Sequence, residues 1–427
     1  MIPDRIAPLL QAPWIFLFPI LAIQPIPAQT PNGSLPLKAA LELSLAKPIR
    51  TSPEALAIEA AIARMEALPG PLTTNPEFRL SQVERWNHTT EREYALRFKT
   101  TNPWIYKAKQ NTQKHSIELA RSQLLAREHE ILHQTKILYF QALYAQEKLS
   151  LALRWKETSQ ANLDWNHTLL QSGLTTLPEM LEVQLGASEA ARDARDAGLS
   201  HQLALSRLLA WIDKLDINAP KITLSTKFAD PALGILGKTK QELLNNYKLN
   251  HPLPRTFSNQ TEVAGGLLGE VEEGNKPWVS FVQAGVSRGK NSWEGDDWIF
   301  RLGVEIPVFN QVDKESHAAN ATHAQALAQL NSHLYEAQLL IKGKLADLHL
   351  TAGHLGLTRE LTGAILNEVQ LALNEDQAGP APTIPPDSRF RLERGVHRIK
   401  SAILDAQYAH QEALLSLEYF IPSLLDN

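Results

Sequence analysis

The chain reads as a mostly α protein with a small β part, built from two structural repeats, each a strand pair followed by a long coiled-coil helical hairpin. Three observations predict this. Residues 104–171 contain neither proline nor glycine, and Ile117, Leu124, Ile131, Leu138, Ala145 and Ala152 recur every seven residues, the period of a coiled-coil seam. Four short runs instead alternate apolar and polar side chains, the period of a half-buried strand. Corresponding landmarks also recur: Pro103 and Pro307 are 204 residues apart, and the turn glycines Gly173 and Gly379 are 206 apart. Agreement that close points to a duplicated plan.

The first repeat can be followed element by element. Residues 12–23 are strongly apolar, follow Arg5 and precede Ala28; residues 1–28 therefore match a secretory signal peptide. They are too short for the ~20 residues of a membrane helix. Leucines at helical spacing mark residues 35–46, and Ser52-Pro53 opens a second helix to about Leu68, closed by Pro69, Gly70 and Pro71. Phe78 to Val83 and Tyr94 to Lys99 read as a hairpin, with Tyr94, Leu96 and Phe98 on one face and Arg97 and Lys99 on the other. The long helix then runs to Gln171, is broken at 172–178, and returns to about Trp211 rich in small residues.

The second repeat follows the same plan. A helix spans 238–250, and a weaker one, interrupted by Gly265 and Gly266, spans about 258–272. A strand runs from Trp278 to Val286. The next alternates most clearly, with Trp298, Phe300, Leu302, Val304 and Ile306 facing one way and Arg301, Gly303 and Glu305 the other. A long helix from about Asp313, a Gly/Pro loop at 379–387 and a last helix to about Tyr419 complete it. The predicted units are 1–28, 29–225 and 226–427.

Composition removes several classes of function. With 42 Lys+Arg against 46 Asp+Glu and a formal charge of -4, the chain lacks the basic excess of a nucleic-acid binder. With no cysteine it has no disulfides, thiolate metal sites, cysteine nucleophile or lipidated N-terminal cysteine. No phosphate-binding glycine loop or Ser/His/Asp signature stands out, and no cofactor is expected.

An aromatic-rich apolar strand face opposite Arg, Lys, Glu and Gly fits a barrel with lipid outside and water inside. In lipid only a closed barrel satisfies its backbone. Four strands cannot close, since single-chain barrels start at about eight, so a barrel here needs an oligomer; three chains supply about twelve strands. The alternative is a small soluble sheet packed on its own helices.

The order of elements resembles the TolC-type outer-membrane efflux family over essentially the whole mature chain. The segments that carry the resemblance are Leu35-Pro36-Leu37-Lys38-Ala39-Ala40-Leu41-Glu42-Leu43-Ser44-Leu45-Ala46, Asn75-Pro76-Glu77-Phe78, Ser172-Gly173-Leu174-Thr175-Thr176-Leu177-Pro178-Glu179-Met180-Leu181 and Gly303-Val304-Glu305-Ile306-Pro307-Val308-Phe309. The Asn75-Pro76-Glu77 start is similar to members serving heavy-metal efflux pumps. The resemblance implies a non-catalytic homotrimer with a 12-stranded β-barrel in outer-membrane lipid, continued by an α-helical barrel in the periplasm. It further implies an exit duct of a tripartite efflux or type I secretion system, joined through a periplasmic adaptor to an inner-membrane transporter of RND or ABC type. The adaptor-contacting tip maps onto Gly173, Leu174 and Thr175, and the membrane-facing residues onto Tyr94, Leu96, Phe98, Trp298, Phe300, Leu302 and Val304.

Two departures from the family pattern concern the second tip. It is longer and proline-rich (379–386), and the stretch beyond it carries Arg389, Arg391 and Arg394 where members often carry acids. If those arginines line the aperture they favour anions; alternatively they pair with acids on adjacent helices.

His129-Glu130-Ile131-Leu132-His133 is an H-E-x-x-H motif on a helix, the zinc-peptidase arrangement. Ile131 lies on the heptad seam, which predicts peripheral surface positions for His129 and His133, and no second motif marks a third ligand. The five histidines along the second long helix (His317, His323, His333, His349, His354) do not hold one face. A zinc peptidase, and a secreted coiled-coil scaffold without a barrel, are the competing readings.

Overall fold

The computed structural model describes residues 33–46, 52–68, 70, 75–84, 90–212, 222–228, 237–289, 297–306, 312–378 and 384–421. The proposed signal peptide and most of the second tip lie outside these residues.

The first repeat comprises β1 (Ser34–Leu35), α1 (Leu37–Ala46), α2 (Pro53–Glu66), β2 (Glu77–Glu84), β3 (Thr90–Lys99), α3 (Pro103–Gln171) and α4 (Leu177–Trp211). The second comprises β4 (Thr223–Leu224), α5 (Lys240–Asn250), α6 (Pro252–Gly274), β5 (Trp278–Gly289), β6 (Asp297–Glu305), α7 (Val312–Ala378) and α8 (Pro386–Glu418). The order recurs element for element, as the landmark spacings predicted.

Local chemistry sets where the helices start. Ser52 Oγ accepts from the Ala55 amide at 3.1 Å, and Asn102 Oδ1 accepts from the Trp104 amide at 3.0 Å. Each cap is followed by a proline whose missing N–H costs nothing at the first helical position. Thr239 and Glu242 form a reciprocal capping box at α5. α3 has 69 residues, on the order of 100 Å at the α-helical rise, and its heptad residues Ile117, Ile131, Ala145 and Ala152 are buried.

Two cores occupy equivalent places in the two repeats. One gathers Ala40 of α1, Tyr139, Phe140 and Leu143 of α3, and Leu205, Leu208 and Leu209 of α4. The other gathers Leu243, Leu244 and Tyr247 of α5, Ile341 and Leu348 of α7, and Leu414 and Leu417 of α8. The short parallel pair β1–β4, with Leu35 opposite Leu224, ties the start of one repeat to the start of the other. Gln146 secures it like a strand neighbour, accepting from the Leu224 amide at 2.8 Å and donating to the Leu224 carbonyl at 3.1 Å. Tyr139 adds a hydroxyl bond to the Leu35 carbonyl at 2.9 Å.

One expectation needs correction. Gly265 and Gly266 do not interrupt the helix: α6 is continuous over 23 residues. A Cβ at Gly266 would lie 2.7 Å from Thr112 Oγ1 and 3.2 Å from Thr112 Cα. The glycine therefore permits close packing of α6 on α3 rather than a break.

A candidate membrane-facing sheet and hairpin tip

The four longer strands form one antiparallel sheet in the order β2-β3-β5-β6, with the two repeats meeting at β3–β5. Register aligns Leu80, Tyr94, Val286 and Trp298 in one row, Phe78, Leu96, Ala284 and Phe300 in the next, and Phe98, Val282 and Leu302 in a third. Because strand side chains alternate, these rows share a face. The seven predicted residues all lie there. Phe98 is half-buried, the other six are exposed, and Trp298 and Phe300 reach 73% and 75% exposure. Phe78, Leu80, Val282, Ala284 and Val286, which the alternation did not assign to a face, complete it. An uncovered apolar surface of this extent marks a contact with lipid or another protein.

The opposite face is polar and internally bonded. Glu93, only 5% exposed, takes a bidentate pair from Arg301 at 2.9 and 3.0 Å. Gln283 Nε2 donates to Glu93 at 3.0 Å, and Ser81 Oγ at 3.3 Å. Arg97 Nε in turn donates to Gln283 Oε1 at 3.0 Å, with its guanidinium 3.8 Å from the centre of the Phe281 ring. A shielded carboxylate requires such partners. The network spans all four strands and crosses the repeat boundary, pinning the register that separates the two faces.

At the far end of the α3–α4 hairpin, the Leu174 amide bonds the Leu169 carbonyl at 2.9 Å and the Gly173 amide bonds the Leu170 carbonyl at 3.1 Å. This is a Schellman cap, and Gly173 has the left-handed φ of 73° that it requires. The Thr176 amide and Thr175 hydroxyl donate to Glu179 at 2.8 and 2.9 Å, and these bonds hold the Glu179 carboxyl below its usual range. The rigid turn displays Leu174 at 75% exposure, continued by exposed Leu177, Leu181 and Leu185 along α4. Gly173→Val should lower the stability of this turn by about 1–2 kcal/mol, because a β-branched residue resists left-handed backbone. Faster amide exchange confined to residues 168–178 would show it.

The three arginines beyond the second tip pair with carboxylates inside one chain. Arg389 Nε bonds Glu393 at 3.2 Å, Arg391 reaches Glu182 at 3.4 Å, and Arg394 reaches Glu189 at 2.8 Å. Glu182 and Glu189 lie on α4, so these contacts tie α8 to the first hairpin.

The H-E-x-x-H histidines are not the surface groups that the heptad register predicted. His129 Nε2 donates to the Tyr419 carbonyl at 2.7 Å, and its ring meets His251 edge-on at 4.6 Å. His133 packs on Tyr419 at 4.8 Å, and burial pushes it down to about 4. The end of α8 covers this side of α3, a long-range contact that a helical wheel cannot show. Glu130 points elsewhere and pairs with Arg127 at 2.6 Å. Among the described residues no three His, Asp or Glu side chains are placed to hold a metal, and no helix is long and apolar enough to cross a membrane.

Duplicated strand pairs merging into one amphipathic sheet, with long helical hairpins running from it, define a TolC-like fold. Solved structures agree. The chain superposes on the outer-membrane channel CmeC of Campylobacter jejuni with a TM-score of 0.63 at 13% identity, over 90% of this chain and 85% of that one. For the outer membrane protein VceC of Vibrio cholerae the values are 0.61 and 16%, over 90% and 95%. CusC, described for its transmembrane channel formation, gives 0.65 and 15%, over 90% and 91%. No protein-family model and no curated protein matches the chain.

Proposed function

We propose that the protein is an outer-membrane exit duct that works as a homotrimer and conducts passively. The observation that carries this reading is the four-stranded sheet with one bare aromatic face, one bonded polar face and two edges, β2 and β6, that pair with no further strand among the described residues. Such edges are untenable in hydrocarbon. An even number of antiparallel strands lets β6 of one copy pair with β2 of the next without breaking the alternation. That heterologous contact closes into a ring, and three copies supply about twelve strands. The names of the fold neighbours support the same placement, since CmeC and VceC are an outer membrane channel and an outer membrane protein.

On this reading the helical hairpins extend into the periplasm. Gly173, Leu174 and Thr175 meet a periplasmic adaptor through the exposed leucine stripe, and an inner-membrane transporter of RND or ABC type supplies the energy. Residues 1–28 serve as the export signal, and 29–225 and 226–427 correspond to the two repeats to within the few residues of β4, which opens the second. Expression of the full chain, membrane fractionation and mass determination in detergent test the proposal. A detergent-dependent particle of three chains is expected. A soluble monomer or dimer would overturn it and would leave the Glu130→Gln peptidase assay as the next step.

A further inference from the structure

His251 stands at the elbow between α5 and α6, ending one helix and capping the next. It is 1% exposed. Its amide bonds the Tyr247 carbonyl at 3.0 Å, and its Nδ1 accepts from the Leu253 amide at 3.2 Å. An acceptor Nδ1 places the ring hydrogen of neutral His251 on Nε2, where that buried atom has no hydrogen bond of good geometry among the described residues. The nearby Tyr419 carbonyl, which also accepts from His129, favours a charged His251, but burial and the His129 ring outweigh it.

Every packed element contributes to the surroundings. α3 presents His129 at 4.6 Å ring to ring, with His133 behind it against Tyr419. α5 presents Tyr247 at 4.8 Å, and the end of α8 presents Tyr419 at 5.3 Å. α7 presents His333, whose Nε2 shares a 2.7 Å bond with the Tyr247 hydroxyl. The nearby carboxylates have work elsewhere: Glu418 bonds Lys136, Glu130 bonds Arg127, and Glu336 lies beside His333. A proton on Nδ1 would set donor against donor at Leu253, remove the cap and put a cation at the positive end of α6.

We propose that this elbow is an acid-sensitive latch, closed while His251 is neutral and released when the ring takes a second proton. Release frees the first turn of α6 from α3 and from the end of α8. Burial, reinforced by His129, pushes His251 from 6.5 down to about 3. A group depressed in this way stabilises the closed form fully above about pH 6.5, and that stabilisation drains away as pH falls toward 3, because the open form binds the proton more readily.

The test is hydrogen exchange on the full-length protein in detergent at pH 7.5 and 5.0, corrected for intrinsic exchange. Between these values the opening constant of residues 251–261 should rise about 30-fold, the factor set by 6.5 and about 3, while residues 139–146 stay unchanged. His251→Asn keeps a good capping acceptor without a titrating ring, and should cut the rise below about fivefold. His129→Gln leaves the cap intact and should retain the rise. A wild-type rise under about threefold, an undiminished rise in His251→Asn, or its loss in His129→Gln would each overturn the latch.

Discussion

Phe300→Arg should abolish recovery of the protein as a detergent-extracted trimer, while the monomer's helical circular dichroism survives. Phe300 lies in the middle row of the bare sheet face, beside Ala284, Leu96 and Phe78, and is 75% exposed. In the proposed trimeric barrel Phe300 would face lipid near the midplane, where an arginine costs about 2–4 kcal/mol per chain, or roughly 6–12 kcal/mol over three chains. The helical hairpins keep their own cores, which lie on α1, α3–α5, α7 and α8 rather than on the sheet. Val304→Arg is the control. It shares the face but lies next to the end of β6 at Glu305, where the same substitution costs about 0–1 kcal/mol if that end is interfacial. Equal trimer recovery for Phe300→Arg and the unaltered protein would show that this face meets something other than lipid.

The features on which this prediction rests were legible in the sequence, and the reasons are physical. A heptad sustained from Ile117 to Ala152 and an alternation sustained from Trp298 to Val304 are long enough that neither period can be mistaken for the other. What escaped was short or non-local. β1 and β4 have two residues each, too few to show any period, and their partner Gln146 is 78 residues from Leu224. Gly266 looked like a helix breaker because its reason, Thr112, lies on another element. His129 and His133 looked peripheral because the side of α3 that they occupy is covered only once α8 has returned along it. The same holds for the Glu93–Arg301 pair, which lies across three strands and two repeats and carries no local spacing.

Phe390→Ala should be the most damaging single truncation at the tip end of the helices, at about 3–5 kcal/mol for a fully buried phenylalanine. Phe390 is 0% exposed and shares a small core with Trp155, Val183 and Ala190. Its ring stacks on Trp155 at 5.6 Å and fills the space that a Cβ on Gly186 would need, 2.4 Å from that position. Otherwise α8 meets α4 here through the ion pairs of Arg391 and Arg394, whose half-exposed settings make each worth little. Loss of the ring should therefore lower the unfolding midpoint and speed exchange selectively over residues 386–398. Gly186→Val overfills the same site and should destabilise by about 1–3 kcal/mol. The double variant discriminates the mechanism. If the Phe390 ring occupies the hollow above Gly186, valine enters the space that the ring vacates, and the double variant is more stable than the sum of the two losses implies. Strict additivity would mean that the ring and the glycine act independently, and that α8 is held to the first hairpin by other means.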